Sequence, residues 1–250
     1  MYGQRGRIGL IVPSSNTVCE PEMAALCPPG VATYATRILF EPTLEGLKAM
    51  KDHVGRAAAE LSSEGMSHVI AFCCTVGSMI GGSDHDVDII RLIEEKTGVP
   101  AVTTTTALKA ALNALGVSRI AVATPYTLEI DELEKSLLEN MGYEVTELKG
   151  YHEHVDPKAF KNDMIGRLGP ETAYELALSV NGPRNEALFI SCTNFRAVDV
   201  IQRLEDKTGK PVLSSNQVTM WHSLCKLGIH DGLKGYGRLF DLGGIHENRH

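Results

Sequence analysis

The chain carries no surplus of positive charge. Its 24 Lys and Arg are outnumbered by 31 Asp and Glu, for a net charge of −7. The cations are scattered rather than gathered into the stripe that neutralises a phosphate backbone, so no nucleic-acid partner is expected. No apolar run approaches the roughly 20 residues that span a bilayer, and no membrane is expected. The N-terminus, MYGQRGRIGLIVPSSN, passes from a short basic stretch into strand-like sequence without a signal-peptide cleavage pattern. A cytoplasmic location is the expectation. The six cysteines form no CxxC pair and are too sparse in 250 residues to frame a small disulfide-bonded fold, so free thiols are expected. Neither GxGxxG nor GxxxxGK[ST] occurs, which removes the two common phosphate cradles. His152-Glu153-His154 lacks a third ligand at a known spacing, so no metal is expected and a solvated loop is read there.

What is present is a 43% hydrophobic chain long enough for a sizeable core, written twice. RIGLIVP (7–13) is matched by RIAVATP (119–125), HVIAFCCTVGS (68–78) by EALFISCTNFR (186–196), and 91–116 by 203–228, both of the last pair containing Lys-Thr-Gly-x-Pro. Three matches in the same order indicate internal duplication. Short β-branched runs alternate with segments of helical period, as in βαβ units around a parallel sheet. Strands are expected at 7–12, 32–38, 68–73 and 100–103, and again at 119–123, 143–149, 186–191 and 211–213. The fold predicted is α/β, with two pseudo-symmetric lobes of about four parallel strands each and a cleft between them. The first lobe takes 1–117 plus the tail 229–250, and the second takes 118–228. The second half offers no clear counterpart of 32–38 of equal length, and 150–170 reads as an insertion-like loop.

Ligands of parallel α/β sheets bind beyond the carboxyl ends of the strands. There the repeat places Pro-Ser-Ser-Asn-Thr (13–17) and Thr-Pro-Tyr-Thr (124–127), then Cys74-Thr75 and Cys192-Thr193-Asn194, then Thr103–Thr106 and Ser214-Ser215-Asn216. Such short hydroxyl and amide side chains suit a small carboxylate better than a nucleotide. A cysteine at a strand end, followed by Thr and a helix, is placed to have its pKa lowered from about 8.5. Duplication of that arrangement points to two thiols, Cys74 and Cys192, acting on one substrate across the cleft. Cys73, one position out of step, should face the sheet interior. Cys19, Cys27 and Cys225 read as packing residues, as does Trp221.

The motifs PSSNT (13–17), CTVGS (74–78), TPY (124–126), NDMIGRL (162–168), SCTNFR (191–196) and GYGRL (235–239) together resemble the aspartate/glutamate racemase superfamily. Within it the chain looks most like maleate cis-trans isomerases and the arylmalonate decarboxylases. The resemblance runs the length of the chain and implies two lobes, a carboxylate cleft, no cofactor and, by analogy, a homo-oligomer. It implies catalytic roles for Cys74 and Cys192, with Cys74 the nucleophile, and substrate-binding roles for Asn16, Thr75, Tyr126, Asn162 and Thr193. Val76 departs from the Ser usual after Cys-Thr, which alters the shape of one carboxylate pocket. Arylmalonate decarboxylases have glycine in place of the first cysteine, so Cys74 argues against decarboxylation. The expected activity is cis-trans isomerisation of a small unsaturated dicarboxylate of the maleate type through a covalent cysteine adduct. The alternative is a racemase of a small amino acid or hydantoin that uses the two cysteines as acid and base. A passive carboxylate-binding protein is a third reading.

Overall fold

In the computed structural model residues 2–82, 84–156 and 161–242 are described. Strands β1 (Gly6–Pro13), β2 (Val31–Ile38), β3 (Val69–Phe72) and β4 (Ala101–Thr103) form one sheet in the order β2-β1-β3-β4. Strands β5 (Arg119–Thr124), β6 (Glu144–Gly150), β7 (Ala187–Ile190) and β8 (Val212–Ser214) form a second in the order β6-β5-β7-β8. All pairings are parallel. The helices between them are α1 (Cys19–Ala25), α2 (Leu44–Ser62), α3 (Thr75–Met79), α4 (His85–Thr97), α5 (Thr104–Leu115), α6 (Leu128–Asn140), α7 (Pro170–Val180), α8 (Ile201–Thr208) and α9 (Ser215–Lys226). The two-lobed α/β architecture read from the repeat is therefore the one observed. β6 flanks β5 as β2 flanks β1, at seven residues against eight and with a register shift between Ile120 and Ala121, so the counterpart of 32–38 is present but of unequal length.

The local chemistry explains the repeated text. In Lys-Thr-Gly-x-Pro the glycine ends the helix in the left-handed region, Gly98 at φ 67° after α4 and Gly209 at φ 72° after α8. The threonine hydroxyl bonds back one turn, Thr97 to the Ile93 carbonyl and Thr208 to the Leu204 carbonyl, both at 2.7 Å. The motif is a helix-to-strand turn, not a binding site. Strands β3 (VIAF) and β7 (ALFI) are buried at every position, as continuous apolar strands with both faces covered should be.

The two lobes share one core. Ile8, Leu10 and Val12 of β1 join Ile120 and Val122 of β5 and Leu188 of β7 in a single apolar cluster. Helix α9 is buried from Ser215 to Leu224 because it packs on α5, β3 and β4 of the other lobe. A period of two sends alternate strand residues to opposite faces. Cys73 accordingly sits in the shared core, whereas Cys74 belongs to the cluster on the outer face of the first sheet. The tail, assigned to the first lobe by its sequence, touches both. Arg5 pairs with Asp231, while the Arg238 N–H meets the Glu205 carboxylate at 2.9 Å and the Tyr236 carbonyl accepts from Gln217 at 2.6 Å. Residues 243–250 of that tail, and 157–160 of the 150–170 loop, lie outside the described residues. The described part of that loop holds two short helical turns, Tyr151–His154 and Asn162–Arg167.

Candidate active site

Where the lobes meet, the strand ends open into a cavity of about 290 Å³. Its lining includes all seven residues singled out in the sequence: Asn16, Cys74, Thr75, Tyr126, Asn162, Cys192 and Thr193. The loop after β1 supplies Asn16, the β3–α3 junction Cys74 and Thr75, the loop after β5 Tyr126, and the turn after β7 Cys192 and Thr193. Asn162 comes from the helical turn before α7. Asn194, which also lines the cavity, was visible only as the third letter of Cys-Thr-Asn.

The threonines hold the two lobes in register. Thr193 donates to the Cys73 carbonyl at 3.1 Å and accepts from the Asn16 amide at 3.0 Å. Thr75 donates to Ser215 at 2.8 Å, and the same Ser215 oxygen accepts the Cys192 N–H at 3.0 Å. Each threonine beside a thiol thus reaches across to the opposite lobe. The Asn16 side-chain Oδ1 is occupied by the N–H groups of Val18 and Cys19, so this side chain offers a ligand only its remaining N–H.

Pseudo-symmetry fails at the thiols themselves. Cys74 has ordinary extended backbone and precedes α3. Cys192 sits at φ 99°, in a region that non-glycine residues adopt at a cost of order 1–3 kcal/mol and mostly at functional sites. It is followed by a turn rather than a helix, so the helix expected after both cysteines exists only after Cys74. Glu22 helps hold the strained segment: its carboxylate accepts from the N–H groups of Ala197 and Val198 and from Asn216, at 2.7–2.9 Å. Asn216 in turn donates to the Thr193 carbonyl at 3.0 Å. On the first lobe Arg37 donates to the Asn16 main-chain carbonyl at 2.7 Å and pairs with Glu20. Glu22 and Arg37 carried no signal in the sequence, where each reads as an ordinary helix or strand charge.

The expectation of lowered thiol pKa values is reversed. Burial pushes Cys74 up to about 12 against the pull of the Gly77 N–H. Burial likewise pushes Cys192 up to about 12, opposed by the Tyr126 hydroxyl and the Asn194 N–H and reinforced by Glu134. The short α3 and these few donors do not outweigh removal from water. Gly77 is required for the arrangement, because a Cβ there would stand 2.8 Å from the Cys74 sulfur. Tyr126, raised by burial and by Cys192, stays a protonated donor. The hydroxyls of Thr103–Thr106 and of Ser214 do not serve an anion. Thr103 and Ser214 close capping boxes on α5 and α9, Thr105 is hydrogen-bonded to Ser78, and none of them lines the cavity.

Neutral donors around two buried thiols, on a doubled four-stranded parallel fold, define a thiol enzyme of the two-lobed α/β kind. The chain belongs to the arylmalonate decarboxylase family, whose profile matches residues 8–240. Among its relatives, the maleate isomerase of Alcaligenes faecalis is 31% identical over 248 residues, spanning 93% of this chain and 95% of that one. Among solved structures, the maleate cis-trans isomerase of Nocardia farcinica bound to TRIS superposes with a TM-score of 0.86 at 26% identity, over 94% of this chain and 97% of that one. A cysteine-to-serine mutant of the Nocardia enzyme, with a covalently bound succinylcysteine intermediate, gives 0.85 at 27%, over 94% and 98%.

Proposed function

We propose that this chain is a cofactor-independent maleate cis-trans isomerase acting through a cysteine adduct. The observation that carries the reading is the opening of Cys74 and Cys192 into one cavity among neutral donors, with no Lys, Arg or His in its described lining. The side chains of Asn16, Tyr126 and Asn162, with the main-chain amides near Thr75 and Thr193 whose hydroxyls are already engaged, hold the carboxylates by hydrogen bonds. Without a fixed ion pair one carboxylate is free to swing with its carbon.

Cys74, as thiolate, adds to one carbon of the double bond. The C–S bond forms as the π bond breaks, and the electron pair moves to the neighbouring carbon. Cys192 gives that carbon its proton, leaving a saturated succinyl thioether and a Cys192 thiolate stabilised by the Tyr126 hydroxyl and the Asn194 N–H. The former double bond is now single and rotates. Cys192 then removes a proton from the same carbon, the π bond re-forms in the trans geometry, and Cys74 leaves as thiolate. The succinylcysteine seen in the Nocardia relative is the adduct this sequence requires, and the cycle consumes nothing but substrate.

The six free cysteines suit a reducing cytoplasmic compartment. Self-association is part of the same reading, and light scattering measures it. The activity is tested by adding maleate to purified protein and following fumarate by NMR. Conversion by the wild type, and its loss in both Cys74→Ala and Cys192→Ala, is the expected result. Deuterium exchange at the α-carbon of an amino acid, without conversion of maleate, would move the assignment to a racemase.

A further inference from the structure

The cleft has two unlike walls. On one side Asn16, Thr75, Thr193 and Asn194 are tied together and to their neighbours by hydrogen bonds. The lining also includes the apolar Phe40, Pro42, Leu47, Val76 and Ile130. Four of these, Phe40, Leu47, Val76 and Ile130, pack with Cys74 and Tyr126 in the apolar cluster on the outer face of the first sheet. The apolar wall is therefore continuous and reaches the reacting thiol. It includes Val76, the position where the resemblance leads one to expect Ser.

Unsubstituted maleate makes poor use of such a wall. A carboxylate pressed against it would lose its water with no partner in return. Eight heavy atoms, at no more than roughly 30 Å³ each by comparison with liquid water, also leave part of the 290 Å³ cavity unfilled. In a cis diacid both carboxylates lie on one edge of the double bond, and the remaining substituents lie on the other. That geometry matches a cleft with one polar and one apolar wall.

We propose that the substrate is a 2-substituted maleate, bearing an alkyl or aryl group that packs against Phe40, Leu47, Val76 and Ile130. The proposal rests on the isomerase reading and names its substrate class. The Cys74 thiolate adds at the unsubstituted carbon, and the electron pair and then the Cys192 proton arrive at the substituted one. Rotation and the reverse elimination release the 2-substituted fumarate and restore the Cys74 thiolate and the Cys192 thiol. The trans product cannot turn both carboxylates to the polar wall, so it binds more weakly than the cis substrate.

Two measurements test this. The first is calorimetric binding of succinate, 2-methylsuccinate, 2-propylsuccinate and 2-phenylsuccinate, saturated diacids that bind without reacting. Affinity should rise by roughly fourfold for each added methylene, and the rise should collapse in Phe40→Ala, a change at a half-buried position. A flat or falling series overturns the proposal. The second is kcat/KM for 2-methylmaleate and 2-propylmaleate against maleate, with the best substituted substrate expected to lead by at least about tenfold and Val76→Ser expected to shrink that ratio. Turnover in which maleate leads overturns the proposal and leaves the isomerase reading standing. Absence of turnover with every diacid overturns both.

Discussion

Raising the pH from 7 to 11 should expose the active-site thiols to alkylation far later than an ordinary cysteine. Burial places both Cys74 and Cys192 near 12, whereas a free thiol titrates at about 8.5. At pH 8 roughly a quarter of ordinary cysteine is thiolate, but only about one part in ten thousand of a thiol at 12. The iodoacetamide rate at these residues, read by peptide mass spectrometry over short exposures, should climb about tenfold per pH unit through pH 10 without levelling. Tyr126→Phe should slow Cys192 by a further factor of about ten or more, because a hydrogen bond to a charged group contributes about 1.5–3 kcal/mol, and should leave Cys74 much less affected. The maleate kcat/KM should rise with pH over the same range. Stability moves the other way. The folded pKa values lie above the unfolded one, so the contribution from these thiols is fully present below about 8.5 and is lost as pH rises toward 12. A plateau in alkylation below pH 9 at either residue would show a depressed pKa and refute the burial argument.

Three further outcomes follow from particular contacts. Glu22→Ala leaves the N–H groups of Ala197 and Val198 and the Asn216 amide without their acceptor; urea unfolding should show a loss of roughly 3 kcal/mol or more, and an unchanged midpoint would remove Glu22 from the account of how the lobes are joined. Gly77→Ala puts a methyl group 2.8 Å from where the Cys74 sulfur now lies, so kcat should drop on the order of a hundredfold with the far-UV spectrum retained. Glu134 is fully buried, bonded to Ser191 at 2.5 Å, and raised to about 8 by burial. An acid raised in this way contributes stability below its unfolded value of about 4.3 that is lost as pH rises through 8. Glu134→Gln should therefore flatten the fall in urea midpoint between pH 5 and 8.

Six of the eight strands lie in duplicated apolar runs, two of them just after Lys-Thr-Gly-x-Pro turns, and β2 and β6 show as apolar runs of their own; these are local features, each decided within a few residues. Six of the seven candidate residues that line the cavity stand at strand ends, which the repeat makes readable, whereas Asn162, in the helical turn before α7, came only from the motif resemblance. What escaped is long-range. Glu22 and Asn216 are far apart in the chain yet meet at 2.7 Å, and no local pattern marks a charge that serves as a buried bridge. The hydroxyl-rich segments at 103–106 and 214–216 resemble anion donors in sequence but cap helices or bond within the core in the fold, because a capping threonine and a ligand-binding threonine have the same local sequence. The sign of the thiol pKa shift is equally absent from local sequence, since it depends on burial in the assembled fold. The positive φ of Cys192 likewise belongs to the assembled turn and not to the letters Ser-Cys-Thr-Asn.

The division of labour between the thiols is the central claim, and intact-protein mass spectrometry of Cys192→Ser mixed with maleate tests it most directly. The account predicts a mass gain of one maleic acid, located on Cys74 by peptide mapping and absent from Cys74→Ser. An adduct on any other cysteine in the single mutant, or undiminished fumarate production by Cys74→Ser, would contradict it.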